Sequence, residues 1–277
     1  MYKEFLQKNS IFSAIMLTIA GYLALRLGGI SAGGLSPNVA EVVSYIIPLG
    51  FLLLIKIGFK IYEGDNLTKV YDPNNKKSVL RLVLTVFIGL LSLFIPLFFT
   101  ITGDVLTLIN KPMVKDAAII LAQLIALNIC IGLFEEGLFR NIIMNVLMVD
   151  DKKSTYIRAF FVSSILFGLI HISNLTIASN RPIAITSQVI YAIFSGMLMA
   201  GLYLKYRSFF GLVLLHGTID FVSMISKLYG QNTDIATVNL PDITISQGIT
   251  SVATMLPTAI IGLLLLRSFL KKNIKTS

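Results

Sequence analysis

Tryptophan is absent, cysteine occurs once and histidine twice in this 277-residue chain, and only 13% of it is charged. Soluble domains carry about 25% charged residues. So little charge beside 55% hydrophobic residues excludes a soluble globular domain. The single cysteine, Cys130, lies in an apolar run and leaves no intrachain disulfide to form. Neither H-E-x-x-H nor a P-loop occurs, so those two routes to metal or phosphate chemistry have no basis here. A basic, aromatic-interleaved module is also missing. The net charge of +9 therefore does not denote nucleic-acid binding. Lysines and arginines instead gather in the loops beside apolar runs, as the positive-inside bias requires.

The runs themselves reach the ~20 residues that span a bilayer as a helix. Eight can be marked, at about 11–30, 39–61, 79–102, 117–149, 155–173, 183–204, 208–228 and 249–269. The expected fold is all-α: a polytopic membrane protein of about eight transmembrane helices, forming one domain over residues 1–277. The first run is longer than the 7–15 residues of a signal-peptide core and is expected to be an uncleaved span. The fourth is unusually long, which predicts tilt, a bend or an extension beyond the bilayer. Internal repeats and low-complexity tracts are not evident. Placing the N-terminus inside puts 18 basic residues on the cytosolic side. Only Arg26, Lys111, Lys115, Arg181 and Lys227 fall on the other. Both termini are expected in the cytosol of a multi-pass cell-membrane protein. The lysine-rich, tryptophan-free composition points to a low-GC bacterium.

Of fourteen acidic residues, eleven lie in loops, in tails or at span edges. Glu135, Glu136 and Asp220 do not, and both histidines, His171 and His216, also fall inside apolar runs. An ionisable group at mid-bilayer costs at least ~2.5–3.5 kcal/mol on insertion scales and marks a functional site by default. A lone histidine can be an interhelical hydrogen-bond partner and nothing more. Five such groups at one depth are harder to explain as structure. At 1.5 Å per residue, Glu136 lies ~21 Å from Asp150 and His171 ~27 Å from Lys153. His216 and Asp220 lie ~14 and ~20 Å from Arg207. Three helices thus bring polar groups to a similar level, in the cytosolic half to the middle of the membrane.

Glu136 and Arg140 are i,i+4 with the acid first, the favourable order for an ion pair on one helix face. Glu135 points about 100° away, which makes it the better candidate for chemistry and Glu136 the better one for support. His216 and Asp220 are also i,i+4 and project together. A carboxylate with two imidazoles can activate water and stabilise an oxyanion. The same groups suit zinc, and the choice stays open at this point.

"EEGLFR", "FGLIH" and "HGTID" fit E-E-x-x-x-R, F-x-x-x-H and H-x-x-x-N/D in order, and they use both histidines. In this the chain resembles the CPBP family, which comprises type II CAAX prenyl endopeptidases and the bacterial Abi proteins, including bacteriocin-processing and bacteriocin-immunity members. The resemblance covers about 117–228. It implies an eight-helix intramembrane endopeptidase whose cavity opens to the cytosol and to lipid, and which takes a peptide or protein substrate from the cytosolic side. By motif position it implies Glu135 as the base that activates water, assisted by His171. His216 and Asp220 would stabilise the oxyanion, with Glu136 and Arg140 in support and Phe167 beside the site. The prenyl-processing members carry Asn where Asp220 stands. An ionised Asp220 would repel an oxyanion, so it must be protonated, paired with His216 or bound to a metal. Zinc on Glu135, His171 and His216 is the cofactor this leaves open. The competing readings are a membrane scaffold or immunity factor that binds without cleaving, and an ion-coupled transporter. The transporter lacks the inverted repeats and paired broken helices expected of that class. Gln188, Ala192, Gly196 and Ala200 recur every four residues, a spacing that lets helices approach closely.

Overall fold

The structure is a computed structural model that describes residues 8–58, 74–100, 113, 115–176, 179–229 and 242–273. Lys3, Lys60, Lys69, Lys111 and Lys275, which entered the topology argument, lie outside these residues. Among the described residues the chain is predominantly helical and contains no strand beyond an isolated bridge between Met113 and Tyr229. Its helices are α1 (Ser10–Ser31), α2 (Pro37–Val43), α3 (Ile46–Gly58), α4 (Lys76–Ser92) and α5 (Phe94–Thr100). They continue with α6 (Ala117–Glu136), α7 (Met144–Leu147), α8 (Lys153–Leu169), α9 (Pro182–Tyr206), α10 (Phe209–Met224) and α11 (Ile245–Asn273).

Each of the eight apolar runs is helical where described, and six helical stretches are long and apolar enough to cross a membrane. The other two depart for local reasons. The third run is split at Leu93 into α4 and α5. Pro96 stands four residues after Ser92, whose carbonyl it cannot bond and whose space its ring invades. The seventh run, α10, has only 16 residues. The same proline effect bends the second run. Pro48 follows Ser44 by four, and the chain turns at Ser44 and Tyr45 between α2 and α3. Other ends are capped as their residues dictate. The Ser208 hydroxyl accepts from the Gly211 amide at the start of α10, and the Asn75 side chain accepts from Lys77 at the start of α4. Outside the spans, Asp150 accepts from the Thr155 hydroxyl and the Lys152 amide ahead of α8, and these bonds hold its carboxyl below the usual range.

Two kinds of surface follow from the composition. Large apolar side chains such as Phe12, Leu54, Phe87 and Leu91 point outward and are mostly exposed, which suits contact with lipid. Inside, Phe134, Leu138, Phe139, Ile143, Leu198 and Leu212 are fully buried around α6, α9 and α10. Since lipid tails are as apolar as these side chains, close packing rather than water exclusion must hold the helices together. Glycine supplies it at the crossings. A Cβ on Gly262 of α11 would sit 2.5 Å from the Met197 carbonyl oxygen of α9, and one on Gly201 would sit 2.7 Å from the Gly262 oxygen. On the other side, a Cβ on Gly132 of α6 would meet the Val213 oxygen of α10 at 2.7 Å.

This geometry sets an expectation. Gly262→Ala forces backbone apart and is expected to destabilise by about 1–3 kcal/mol. Gly29→Ala, with nothing within 4 Å of its added carbon, is expected to be neutral or slightly stabilising. Thermal unfolding of both variants in detergent micelles checks the contrast.

Candidate active site

The long fourth run does not continue as one α-helix. After Glu136 the chain passes through a seven-residue π-helical segment, Gly137–Ile143, all of it buried, before α7 resumes. Such segments are rare in helices and are found disproportionately at functional sites. This one begins directly after the paired glutamates and contains Arg140.

Glu136 and Arg140 pair as their spacing predicts, with Arg140 Nε 3.3 Å from Glu136 Oε2 and both side chains 0% exposed. The guanidinium has further partners from other helices. Its Nη2 donates to the Gly196 carbonyl of α9 at 3.1 Å, and its plane lies 4.5 Å from the centroid of the Phe167 ring of α8. A cation over a desolvated aromatic face is worth about 2 kcal/mol or more. Glycine at 196 eases that approach: a Cβ there would lie 3.1 Å from the Phe167 ring and 3.2 Å from Ser164 Cα, so a neighbour would have to give by a few tenths of an ångström. The four-residue small stripe thus serves packing at Gly196 and also exposes a carbonyl that Arg140 uses.

The free oxygen of Glu136 turns to α10. His216 Nδ1 donates to Glu136 Oε1 at 2.8 Å. This bond fixes the ring and leaves Nε2 facing two more carboxylates, Glu135 Oε2 and Asp220 Oδ2, each at 3.4 Å. Exposure divides these groups. The side chains of Glu136 and Arg140 are sealed, whereas those of Glu135 and Asp220 are 15% and 27% accessible. The supports are sealed and the accessible carboxylates are at the edge.

His171 stands at the point where α8 tightens into a 3₁₀ segment, Ile170–Thr176. Its Nδ1 donates to the Phe167 carbonyl at 3.1 Å, so in the neutral ring Nε2 carries the lone pair. It lies within electrostatic reach of Glu135, though not in an ion pair with it. The Phe167 ring joins the parts, edge-on to His171 at 5.6 Å, to His216 at 5.8 Å and to Phe139 at 5.3 Å between centroids. Gln188 accepts a hydrogen bond from Asn174 at 2.8 Å, three residues beyond His171.

Glu135, Glu136, Arg140, His216 and Asp220 are therefore gathered in one place, with His171 on its border. Among the described residues no three His, Cys, Asp or Glu side chains are arranged to ligate one metal ion. That holds for Glu135, His171 and His216 as well. Tyr45 lies outside the three motifs but beside these groups. It packs edge-on to Phe134, centroids 6.2 Å apart, within electrostatic reach of Glu135 and Asp220. Its signal in the sequence was Pro48, which places a helix break beside it. The letters G-x-S-x-G do occur at Gly29–Gly33, but they end α1 instead of joining a strand to a helix, and the Ser31 hydroxyl donates to the Gly28 carbonyl.

Residues 117–222 match the family model described as type II CAAX prenyl endopeptidase, Rce1-like. That is the family to which the three motifs point, and it is a family of proteases. No curated protein matches the chain. With its apolar helices, the protein is membrane-embedded and multi-pass.

Removing one partner of a buried pair strands the other charge, at a cost of about 3–5 kcal/mol. Arg140→Met is therefore expected to lower the unfolding temperature sharply. Arg140→Met combined with Glu136→Gln, which removes the orphaned charge and keeps an acceptor for His216, is expected to be more stable than the single variant. A thermal-unfolding series in micelles decides; a double variant worse than Arg140→Met alone counts against the pair as the structural anchor.

Proposed function

We propose that this protein is an intramembrane endopeptidase that hydrolyses membrane-associated peptides by glutamate-activated water. The observation that carries the reading is the His216 imidazole. It is held through Nδ1 by a sealed Glu136–Arg140 pair, and its Nε2 faces the two accessible carboxylates, Glu135 and Asp220.

In this reading Glu135 takes a proton from a water as the water oxygen attacks the scissile carbonyl carbon. The neutral His171, with its Nδ1–H given to the Phe167 carbonyl, offers Nε2 to hold that water. Negative charge then develops on the carbonyl oxygen, and the imidazolium form of His216 donates toward it through Nε2. Preorganised donors of this kind contribute the larger share of many rate enhancements. Asp220 has Asn as its counterpart in the prenyl-processing enzymes, and the pairing with His216 accounts for the change. At 3.4 Å its charge supports the imidazolium rather than confronting the oxyanion alone. Collapse of the tetrahedral intermediate breaks the C–N bond, and the proton held by Glu135 passes to the departing amine. The products are a carboxylate and an amine.

The reacting groups lie on helices built for the membrane, so a substrate must come to them through or along the bilayer. Peptides anchored by a lipid or by an apolar segment meet that condition, CAAX-type and bacteriocin-leader peptides among them. With the charge asymmetry of the loops, the proposed entrance faces the cytosol.

The test is cleavage of a panel of such peptides by purified protein in liposomes, with and without a zinc chelator. General-base catalysis contributes about 10²–10⁴-fold. Glu135→Gln is expected to lose at least that much while keeping the wild-type unfolding temperature. Cleavage that survives Glu135→Gln removes Glu135 as the base. Cleavage lost only with the chelator reinstates zinc. A folded wild type that cleaves nothing on the panel favours a binding or immunity role.

A further inference from the structure

The position of His171 calls for an explanation that its own helix does not supply. It lies past the last α-helical turn, in a 3₁₀ segment. Such segments have poorer hydrogen-bond geometry and seldom persist without outside support. Two contacts with α9 bracket it. Before it, Gly168 lets α8 approach so closely that a Cβ there would sit 2.7 Å from the Val189 carbonyl oxygen and 2.3 Å from Ile193 Cγ1. After it, Asn174 Nδ2 donates to Gln188 Oε1 at 2.8 Å. Gln188 and Val189 are adjacent, so both contacts converge on one turn of α9. His171 and Asn174 are three apart in a 3₁₀ segment, where side chains at i and i+3 eclipse. Asn174 is thus the anchor nearest the imidazole on its own face.

We infer that Asn174 and Gln188 are positioning residues: their hydrogen bond pins the 3₁₀ turn to α9 and so keeps the His171 Nδ1–H on the Phe167 carbonyl and Nε2 free. A polar pair in an apolar helix crossing has few other partners, and a hydrogen bond between helices there is enough to favour one arrangement over another. The catalytic importance of the pair rests on the role proposed for His171, but the placement itself does not.

The chain has only two histidines, so ¹⁵N-histidine labelling gives two side-chain spin systems, and His216→Ala tells them apart. In the wild type His171 is expected as a single neutral tautomer, protonated at Nδ1. Gln188→Leu, which removes the acceptor, is expected to broaden or average the His171 signals and to leave those of His216 in place. Gln188→Glu keeps an acceptor oxygen and is expected to restore the wild-type pattern. If Gln188→Leu disturbs both histidines, Asn174→Ala, which leaves α9 unaltered, decides on the same criterion. His171 signals unchanged in shift and width in the deciding variant overturn the inference.

In the cleavage assay, displacing a group by about 1 Å costs on the order of 10²-fold. Gln188→Leu is expected to lower kcat by that order with little change in KM, and to add nothing to His171→Ala. An additive loss would assign Gln188 to the substrate instead. Because the spectroscopic readout needs no substrate, a wild type that cleaves nothing on the panel counts against the protease reading, while loss of the fixed tautomer in Gln188→Leu still upholds the positioning.

Discussion

The pair of Glu136 and Arg140 is the constraint on which the rest of the architecture depends. Both side chains are fully buried in an apolar bundle. The effective cost of desolvating an ion, after relaxation, is several kcal/mol. Mutual attraction alone seldom repays it; additional hydrogen bonds are needed. Each charge finds them on a different helix. The guanidinium takes a carbonyl from α9 and an aromatic face from α8, and the carboxylate takes an imidazole from α10. An ion pair that must be satisfied by three neighbours dictates where those neighbours stand. The helices also have to come close enough, and glycines at 132, 168 and 196 permit this where any larger residue would meet backbone or ring atoms.

From that anchor the site is built outward in order of decreasing burial. Arg140 and Glu136 are dry, His216 is nearly so, and Glu135 and Asp220 reach the accessible edge. The order matters physically. A hydrogen bond in a low dielectric is electrostatically stronger, which favours burial of the support. A base that activates water must meet water, which forbids its complete burial. Adjacent glutamates on one helix meet both demands because they point about 100° apart.

Much of this could be read from the sequence. The all-α membrane class followed from charge and apolar run length, and the eight runs are helical where described. The i,i+4 spacing of Glu136 with Arg140 and of His216 with Asp220 correctly joined each pair, since a helix makes neighbours of such residues. The sequence could not convey contacts between helices, which no local spacing encodes. The Glu136–His216 bond links residues 80 apart, and the Gly196 carbonyl is backbone and has no letter of its own. The π-helical segment was equally hidden, because an α-helical i,i+4 pattern at Glu136 and Arg140 fits "EEGLFR" without it. The Leu93 and Ser44 breaks fall inside runs marked as continuous, although Pro96 and Pro48, each four residues beyond a carbonyl it cannot bond, carried the signal.

Asp220 shows how one residue's meaning changes once its neighbours are known. Read along the chain, a carboxylate where related enzymes carry an amide threatens the oxyanion beside it. In three dimensions it shares His216 Nε2 with Glu135, while Glu136 holds the opposite nitrogen. Three carboxyl groups then surround one imidazole, and one guanidinium lies behind them. With every acid ionised and His216 protonated, the cluster carries one net negative charge before water is activated. In the proposed hydrolysis Glu135 takes the proton of that water, which leaves the cluster neutral and the one negative charge on the developing oxyanion. An ionised Asp220 therefore leaves the cluster one unit more negative than an amide would at every stage, and its position, 27% accessible, is the least buried of the three carboxyl groups. In the proposed mechanism an amide at this place would donate to the oxyanion directly; the carboxylate would act only through His216, and its contribution would depend on the imidazole that Glu136 and Arg140 hold in place.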